Sequence, residues 1–215
     1  MICMIISRQI LTDKDLIYPS GDRLFFTSDS HWGHKRIIDF CKRPFLSVEE
    51  MDQKLIENWN SVVQPDDIVF HLGDFCWGGS KMWNSILDQL NGKIWLIKGN
   101  HDVKNLREGY LKRFEWVGYQ LKITIEGRSV YLNHFPFLCY DGTYRDKSTL
   151  VYQLHGHTHL CEEKAGQDYQ RLLNAFPTQL DVGVDANNYT PISWQQVKEK
   201  IEYQIDTKQS QAKII

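Results

Sequence analysis

Short apolar runs alternate with stretches of helical periodicity along the first half of this chain, and strand-like runs dominate the second half. An apolar run that ends in a polar, glycine-containing turn is typical of a buried strand. Ser47 followed three residues later by Glu50 is the capping-box pattern that begins a helix, and Glu126-Gly127 between two apolar runs indicates a hairpin. The pattern predicts strands at 23–29, 67–74, 93–102, 151–159 and 181–185 and a hairpin at 121–135. It predicts helices at 48–61, to about 91 with Ser80 as the cap, and to about 205 with Ser193 as the cap.

The order of these elements predicts the fold class. Strand and helix alternate as βαβαβα, then come mostly strands and a last helix, an order that favours an α/β layered fold. The chain shows no repeat and no linker, so we expect a single domain over 1–215, with a frayed polar tail over about 207–215. Ligands in such folds gather beyond the carboxyl ends of the strands.

Composition limits the kinds of binding partner and the cellular compartment that we expect for this protein. Hydrophobic residues make up 42% and charged residues 24%, which is ordinary for a globular protein. The formal net charge of −2 gives no general attraction to nucleic acid or to anionic membranes. No apolar run is long enough to span a bilayer, and the N-terminal residues lack signal-peptide features. Five scattered cysteines without CxxC spacing suit a reducing compartment, so we expect a cytoplasmic protein.

Polar residues that can bind metals follow the predicted strands in five clusters. The candidate ligands among them are two carboxylates, one amide oxygen and four imidazoles but no thiolate, a mixture that suits Mn²⁺, Fe, Zn²⁺, Co²⁺ or Ni²⁺. They are Asp29, Asp74, Asn100, His31, His134, His157 and His159. Seven ligands are too many for one catalytic ion with an open position, and they suit two ions that share a carboxylate. The clusters are Asp29-Ser30-His31, Gly73-Asp74, Gly99-Asn100-His101-Asp102, Asn133-His134 and Gly156-His157-Thr158-His159.

Charge favours a phosphate substrate for such a centre. Two divalent ions bring four positive charges, whereas two aspartates and a bridging hydroxide bring three negative ones. The centre therefore stays net positive and attracts an anionic phosphoryl group, whose oxygens a pair of ions can clamp.

The ordered series D-x-H, G-D, G-N-H-D, isolated H and G-H-x-H resembles the calcineurin-like metallophosphoesterase superfamily. The resemblance implies a four-layer αββα sandwich of two mixed β-sheets flanked by helices. It also implies that His101 is the general acid and that Asp102 orients it and stabilises its charge. One ion would be held by Asp29, His31 and His159, the other by Asn100, His134 and His157, and Asp74 would bridge the two.

Two features refine this resemblance. Asn133 stands before His134 where many members have glycine. The opening D-x-H-W-G-H and the late Gly183-Val184-Asp185 resemble a group of compact members that no single substrate defines.

The leading functional hypothesis is hydrolysis of a phosphomonoester or phosphodiester by a metal-activated hydroxide, with His101 protonating the leaving alcohol. The substrate would be a phosphorylated small molecule or a nucleotide. One alternative is a nuclease or a cyclic or oligonucleotide phosphodiesterase, although the near-neutral charge argues against long nucleic acid. Another is a non-catalytic protein-binding scaffold, against which the complete ligand set argues.

Several flanking residues allow two interpretations. His34 and Arg36 are candidates for binding substrate phosphate, or they begin a solvated helix. Trp77 is either a pocket wall or part of the core. We expect His71 and His155 to be buried and hydrogen-bonded, Cys76 to be a buried filler, Trp32 to pack internally, and residues 140–147 to form an exposed loop or, alternatively, a recognition loop with Arg145.

Overall fold

The computed structural model describes residues 16–103, 106, 113–142, 150–159 and 175–212, the last five of these as backbone only. Ten strands and four α-helices lie in these ranges. The strands are β1 Ile17–Tyr18, β2 Leu24–Thr27, β3 Ile68–His71, β4 Lys93–Ile97, β5 Trp116–Gly118, β6 Gln120–Ile125, β7 Arg128–Asn133, β8 Tyr152–His155, β9 Gln179–Asp181 and β10 Ile192–Ser193. The helices are α1 Lys35–Cys41, α2 Val48–Val62, α3 Ser80–Leu87 and α4 Trp194–Ala212.

The strands form two mixed five-stranded sheets, which confirms the predicted fold class. One sheet has the order β10-β2-β3-β4-β5, in which only β10 is antiparallel to its neighbour. The other has the order β1-β6-β7-β8-β9, in which only the β6–β7 pair is antiparallel. Strands β2 to β5 therefore end at one edge of the first sheet. Strands β7, β8 and β9 end at one edge of the second sheet, whereas β1 and β6 run the other way.

Two apolar clusters hold the layers together. The larger one lies between the sheets, where Phe26 and Phe70 meet Val130 and Leu154, and α4 adds Trp194 to it. The second cluster lies on the other face of the β2–β5 sheet, which is covered by α1, α2 and α3. Alternate residues of a strand point to opposite faces, so the neighbours Phe25 and Phe26 belong to different clusters.

The hairpin and the start of α2 follow the local sequence closely. Glu126 and Gly127 have φ of 51° and 79°, and two positive φ values in a two-residue loop match the twist of the flanking strands. Ser47 caps α2 by accepting a hydrogen bond from the Glu50 N–H at 3.1 Å. The Glu50 carboxylate accepts from the N–H of Leu46, one residue before the serine.

Some predicted boundaries were wrong. Ser80 is the first residue of α3 and not its cap, since Gly79 precedes it without a side-chain bond, and the helix ends at Leu87. The predicted strand 181–185 is split, because β9 ends at Asp181 and Val184–Ala186 form a 3-10 turn. The last helix continues to Ala212, past its predicted end at about 205.

The sheet edges meet at the carboxyl ends of β2 and β9. Ser28 and Gly183 form an isolated parallel bridge there, and the Val184 N–H donates to the Ser28 carbonyl at 3.0 Å. This bridge brings loops from both sheets to one place. Among the described residues, no helix has the length and apolar character needed to cross a membrane.

The cap of α2 gives a stability prediction. Replacing Ser47 with Ala removes the acceptor for the Glu50 N–H and should lower the free energy of unfolding by about 1 kcal/mol. Urea denaturation of the full chain measures this difference. Ser61→Ala, in the last turn of the same helix, is the control and should change stability by less than about 0.5 kcal/mol. Equal effects of the two variants would contradict the capping role.

Candidate metal centre

The loops after β2, β3, β4, β7 and β8 bring the seven predicted ligands into one cluster. Asp74 Oδ2 lies at its centre, 3.5 Å from His31 Nε2 and 3.6 Å from His134 Nε2. Potential ligand atoms of Asp29, His31 and His159 lie within 4.8 Å of one another, and so do those of Asp74, His134 and His157. Asn100 Oδ1 lies 3.0 Å from His134 Nε2.

The polar atoms of this cluster include acceptors without donors. Asp29 Oδ1 and His31 Nε2 are buried and have no hydrogen-bond partner. The Leu72 carbonyl lies 2.7 Å from His134 Nδ1, so this nitrogen carries the proton. In the tautomer that carries its proton on Nδ1, the lone pair of His134 Nε2 faces the Asn100 oxygen. Facing acceptors need a cation between them, so this donor set fits divalent metal ions.

Burial sets the electrostatics of the two carboxylates. It raises the pKa of Asp29 to about 7 and that of Asp74 to about 7, because the charged form loses its hydration. Burial also lowers the pKa of His31 well below its usual value, so the imidazole stays neutral. The neutral imidazole is the form in which a histidine binds a metal cation.

Strained backbone marks the same residues. Five of the seven predicted ligands are non-glycine residues in the left-handed region, which costs roughly 1–3 kcal/mol per residue and tends to occur at functional sites. Neither Asn100 nor His134 is among them. The φ values are 57° for Asp29, 52° for His31, 54° for Asp74, 72° for His157 and 51° for His159.

Glycines allow the site loops to approach one another. A Cβ atom on Gly156 would lie 2.0 Å from Ser28 Oγ and 2.3 Å from Asp29 Oδ2. Gly73, at a φ of 101°, would place a Cβ atom 2.4 Å from the Gly99 backbone nitrogen. All three distances are shorter than any non-bonded contact, so these two positions exclude larger residues.

The predicted acid and its partner lie beside the cluster. His101 Nε2 is 3.9 Å from Asp74 Oδ2, and its side chain is 40% exposed. The Asp102 carboxylate accepts hydrogen bonds from the backbone N–H groups of Asp74, Phe75 and Gly99 at 2.8–2.9 Å. Within the described part of the chain it makes no bond to the His101 ring. The carboxylate therefore ties the loops to one another. Burial lowers the pKa of His101, and the charge of Asp102 opposes this shift in part.

A buried arginine, which the sequence pattern did not indicate, connects two ligand segments. Arg43 donates to both carboxylate oxygens of Asp185 at 2.8 Å, and to the carbonyl oxygens of Asp29 and Ser30 at 2.7 and 3.0 Å. Asp185 in turn lies 2.7 Å from His159 Nδ1. This bond directs His159 Nε2 toward Asp29. Burial lowers the pKa of His159, but the charge of Asp29 and the bond to Asp185 outweigh it and raise that pKa to about 11.

Asp181 supports the other end of the G-H-x-H segment. Its carboxylate accepts hydrogen bonds from the Thr158 hydroxyl and from the Gly183 N–H. Thr158 stands between two predicted ligands, so Asp181 fixes the backbone of both. The sequence pattern placed this aspartate at a strand start and gave no sign of the contact.

A third group of potential ligands is Cys41, His159 and Asp185. It would use His159 Nδ1, which is already bonded to Asp185. The Arg43 guanidinium occupies both oxygens of Asp185, and its fixed positive charge repels a cation at this place. We therefore assign no metal to this group.

The flanking residues separate into buried and exposed ones. His71 is buried between Ser30 Oγ at 2.9 Å and the Gly73 N–H at 3.2 Å, as expected. His34 is buried beneath the half-exposed Trp77 ring. Arg36 is exposed on α1. Among the described contacts, the Arg36 guanidinium makes no hydrogen bond or ion pair with a predicted ligand. Also as expected, His155, Cys76 and Trp32 are buried; Arg145 and the rest of 143–149 lie outside the described residues.

Comparison with known proteins places this geometry in context. A family model described as calcineurin-like phosphoesterase matches residues 23–188, a range that includes every predicted ligand, His101, Asp102 and Asp185. An uncharacterised protein of Methanocaldococcus jannaschii is 33% identical, and the match covers 84% of this chain and 92% of that protein. The Gene 66 protein of Mycobacterium phage L5 is 32% identical, covering 75% of this chain and 86% of its own.

One solved structure shares the architecture at moderate identity. It is a protein of unknown function from Aquifex aeolicus, with a TM-score of 0.60 and 26% sequence identity. The match covers 82% of this chain and 97% of that chain.

The close approach of Gly156 to Asp29 gives a prediction. Gly156→Ala forces Ser28 and Asp29 apart and should lower the free energy of unfolding by about 1–3 kcal/mol. Urea denaturation measures this change. Gly79→Ala is the matched control, because a Cβ atom there meets nothing within 4 Å. If the two variants unfold at the same urea concentration, the loops are not packed as described.

Proposed function

The chain belongs to the calcineurin-like phosphoesterase family, and from that premise we propose that it hydrolyses phosphomonoesters or phosphodiesters with two divalent metal ions. The observation that carries the proposal is the position of Asp74 Oδ2, which lies within 3.6 Å of an imidazole nitrogen from each sheet. His31 follows β2 and His134 follows β7. A carboxylate oxygen between ligands of two separate groups is suited to bridging two ions.

The proposed ligand assignment follows the two groups. Asp29, His31 and His159 would hold one ion, while Asn100, His134 and His157 would hold the other. Asp74 would contact both through Oδ2, since its Oδ1 accepts the His101 N–H at 2.9 Å. Because nitrogen and oxygen ligands make up the whole set, we propose Mn²⁺, with Fe, Zn²⁺, Co²⁺ or Ni²⁺ as the other candidates.

When bound, such a pair of ions polarises phosphoryl oxygens and lowers the pKa of water. The protein contributes the remaining steps through its own side chains. His101 is exposed enough to meet a substrate and is not needed as a ligand, so we propose that its imidazole gives a proton to the leaving oxygen. The fixed loops around Asp102 hold His101 at that place.

The proposed substrates are phosphorylated small molecules and nucleotides. A nuclease acting on short strands remains the alternative within the same chemistry. The non-catalytic scaffold is disfavoured, because neither the acid nor any ligand of the pattern is missing from the chain. A gel assay on single- and double-stranded DNA and RNA tests the nuclease alternative. Elemental analysis of purified protein tests the scaffold alternative, which predicts that no metal is bound.

Hydrolysis is tested directly with chromogenic substrates. The metal-loaded chain should release p-nitrophenol from p-nitrophenyl phosphate or from bis-p-nitrophenyl phosphate, and Asp74→Asn should abolish turnover because the shared ligand loses its charge. Asp66→Asn, at a largely exposed aspartate, is the control and should retain full activity. A protein with both ions bound that hydrolyses neither ester would overturn the proposal.

The role of His101 predicts a dependence on the leaving group. His101→Gln should lower kcat by about 10²–10⁴-fold. The loss should be larger for phenyl phosphate than for p-nitrophenyl phosphate, because the more basic phenolate needs its proton more. Equal losses on the two substrates would instead indicate that His101 only positions the phosphate.

The contacts of Asp185 predict an effect on one ion alone. Asp185→Ala removes the partner of His159 Nδ1 and should weaken binding of the ion held by His159 by about 10–100-fold. Isothermal titration calorimetry with Mn²⁺ should show one weakened and one unchanged binding step, with partial recovery in Asp185→Asn. Equal weakening of both steps, or of neither, would contradict this role. Asp66→Asn again serves as the unaffected control.

A further inference from the structure

Trp77 differs from the other tryptophans in its exposure. Of the seven in the chain, Trp32, Trp59, Trp83 and Trp194 are at most 1% exposed, whereas Trp77 is 47% exposed. A single exposed aromatic residue is unremarkable on its own. Trp77, however, lies at the rim of the candidate metal centre, where a substrate would bind.

The Trp77 ring is held in a fixed plane. His34 lies beneath it in a parallel stack, with ring centroids 4.1 Å apart and an interplanar angle of 10°. The Trp77 backbone N–H donates to the Trp32 carbonyl at 2.8 Å, next to the bridge between Trp32 and Cys76. A ring supported on one face and tied at its backbone loses little entropy when a ligand stacks on it.

The Trp77 ring adjoins the proposed leaving-group side of the centre. The His101 ring centroid is 4.9 Å from that of Trp77, and His101 Nε2 is 3.9 Å from Asp74 Oδ2. His101 is the group proposed to protonate the leaving oxygen. The alcohol that departs must therefore lie close to Trp77, which offers it a flat apolar surface.

Phe135 is also an exposed aromatic residue at the centre, but its position is different. It is 45% exposed and contacts the rings of His134 and His157, at centroid distances of 4.9 and 4.7 Å. Both neighbours are proposed ligands, whereas Trp77 adjoins the proposed acid. Within the part of the chain that the structure describes, Trp77 is the exposed aromatic ring that lies beside the proposed acid.

We propose that Trp77, stacked on His34, is a platform for the planar base of a nucleotide, so that the leaving alcohol is a nucleoside. This inference rests on the proposed phosphoester hydrolysis and narrows its substrate class. Trp77 is a specificity-determining residue in this account and takes no part in the chemistry. Stacking of one base on an aromatic side chain should strengthen binding about tenfold.

Binding of matched phosphonates tests the platform without interference from hydrolysis. The two ligands are the phosphonate analogues of adenosine monophosphate and of ribose 5-phosphate, which differ only in the base. Calorimetry on the Mn²⁺-loaded full chain should give about tenfold tighter binding of the adenosine compound. Equal affinities in the unchanged protein would overturn the proposal.

Three variants of Trp77 separate stacking from general packing. Trp77→Phe keeps a planar ring and should retain most of the preference, whereas Trp77→Leu keeps apolar bulk without a plane and should lose it. Trp77→Ala should also lose it, and the Leu variant decides the matter if the Ala variant does not fold. Affinity for the ribose compound should stay constant throughout. Tyr203→Ala, at an aromatic residue 74% exposed on α4, should change neither affinity.

The remaining outcomes are also decisive. A Leu variant that keeps the preference, or that loses affinity for both phosphonates alike, would overturn the stacking role. Failure of the proposed hydrolysis is a separate result. It would appear as no turnover of either p-nitrophenyl ester, even where the preference for the adenosine compound is present.

Discussion

The crowding of buried acceptors around Asp74 is the constraint on which this structure depends. Its Oδ2 lies 3.5 Å from His31 Nε2 and 3.6 Å from His134 Nε2, while Asp29 Oδ1 is buried without a hydrogen-bond partner. Desolvated acceptors that face each other are unfavourable unless a cation or a proton lies between them. Bringing these acceptors together therefore costs free energy, which packing elsewhere in the fold must offset.

Both sheets contribute to that support. The apolar cluster between them fixes the strands, and the Ser28–Gly183 bridge joins their carboxyl ends. Buried polar contacts then fix the loops: Asp102 binds three backbone N–H groups, and Arg43 joins two carbonyl groups to Asp185. These contacts hold the left-handed residues in place, so that the imidazoles and carboxylates converge without first having to reorganise.

The sequence predicted the parts of this arrangement that depend on local pattern. Strand ends, the Ser47 cap and the Glu126-Gly127 turn follow from neighbouring residues, and the ordered clusters indicated the ligand set. The long-range contacts were missed, because Arg43 in a polar segment gives no sign that it will be buried against Asp185, 142 residues away. Likewise, Asp102 follows His101 directly, which suggested an orienting bond, but its carboxylate lies among the backbone N–H groups of the loops.

Anomalous X-ray scattering from crystals of the Mn²⁺-loaded chain tests the central claim most directly. This account predicts two peaks about 3.5–4 Å apart, the usual separation in two-metal sites, with Asp74 Oδ2 coordinated to both. Asp29 and His159 should lie against one peak, and Asn100 and His134 against the other. A single peak, or two peaks of which Asp74 touches only one, would contradict it.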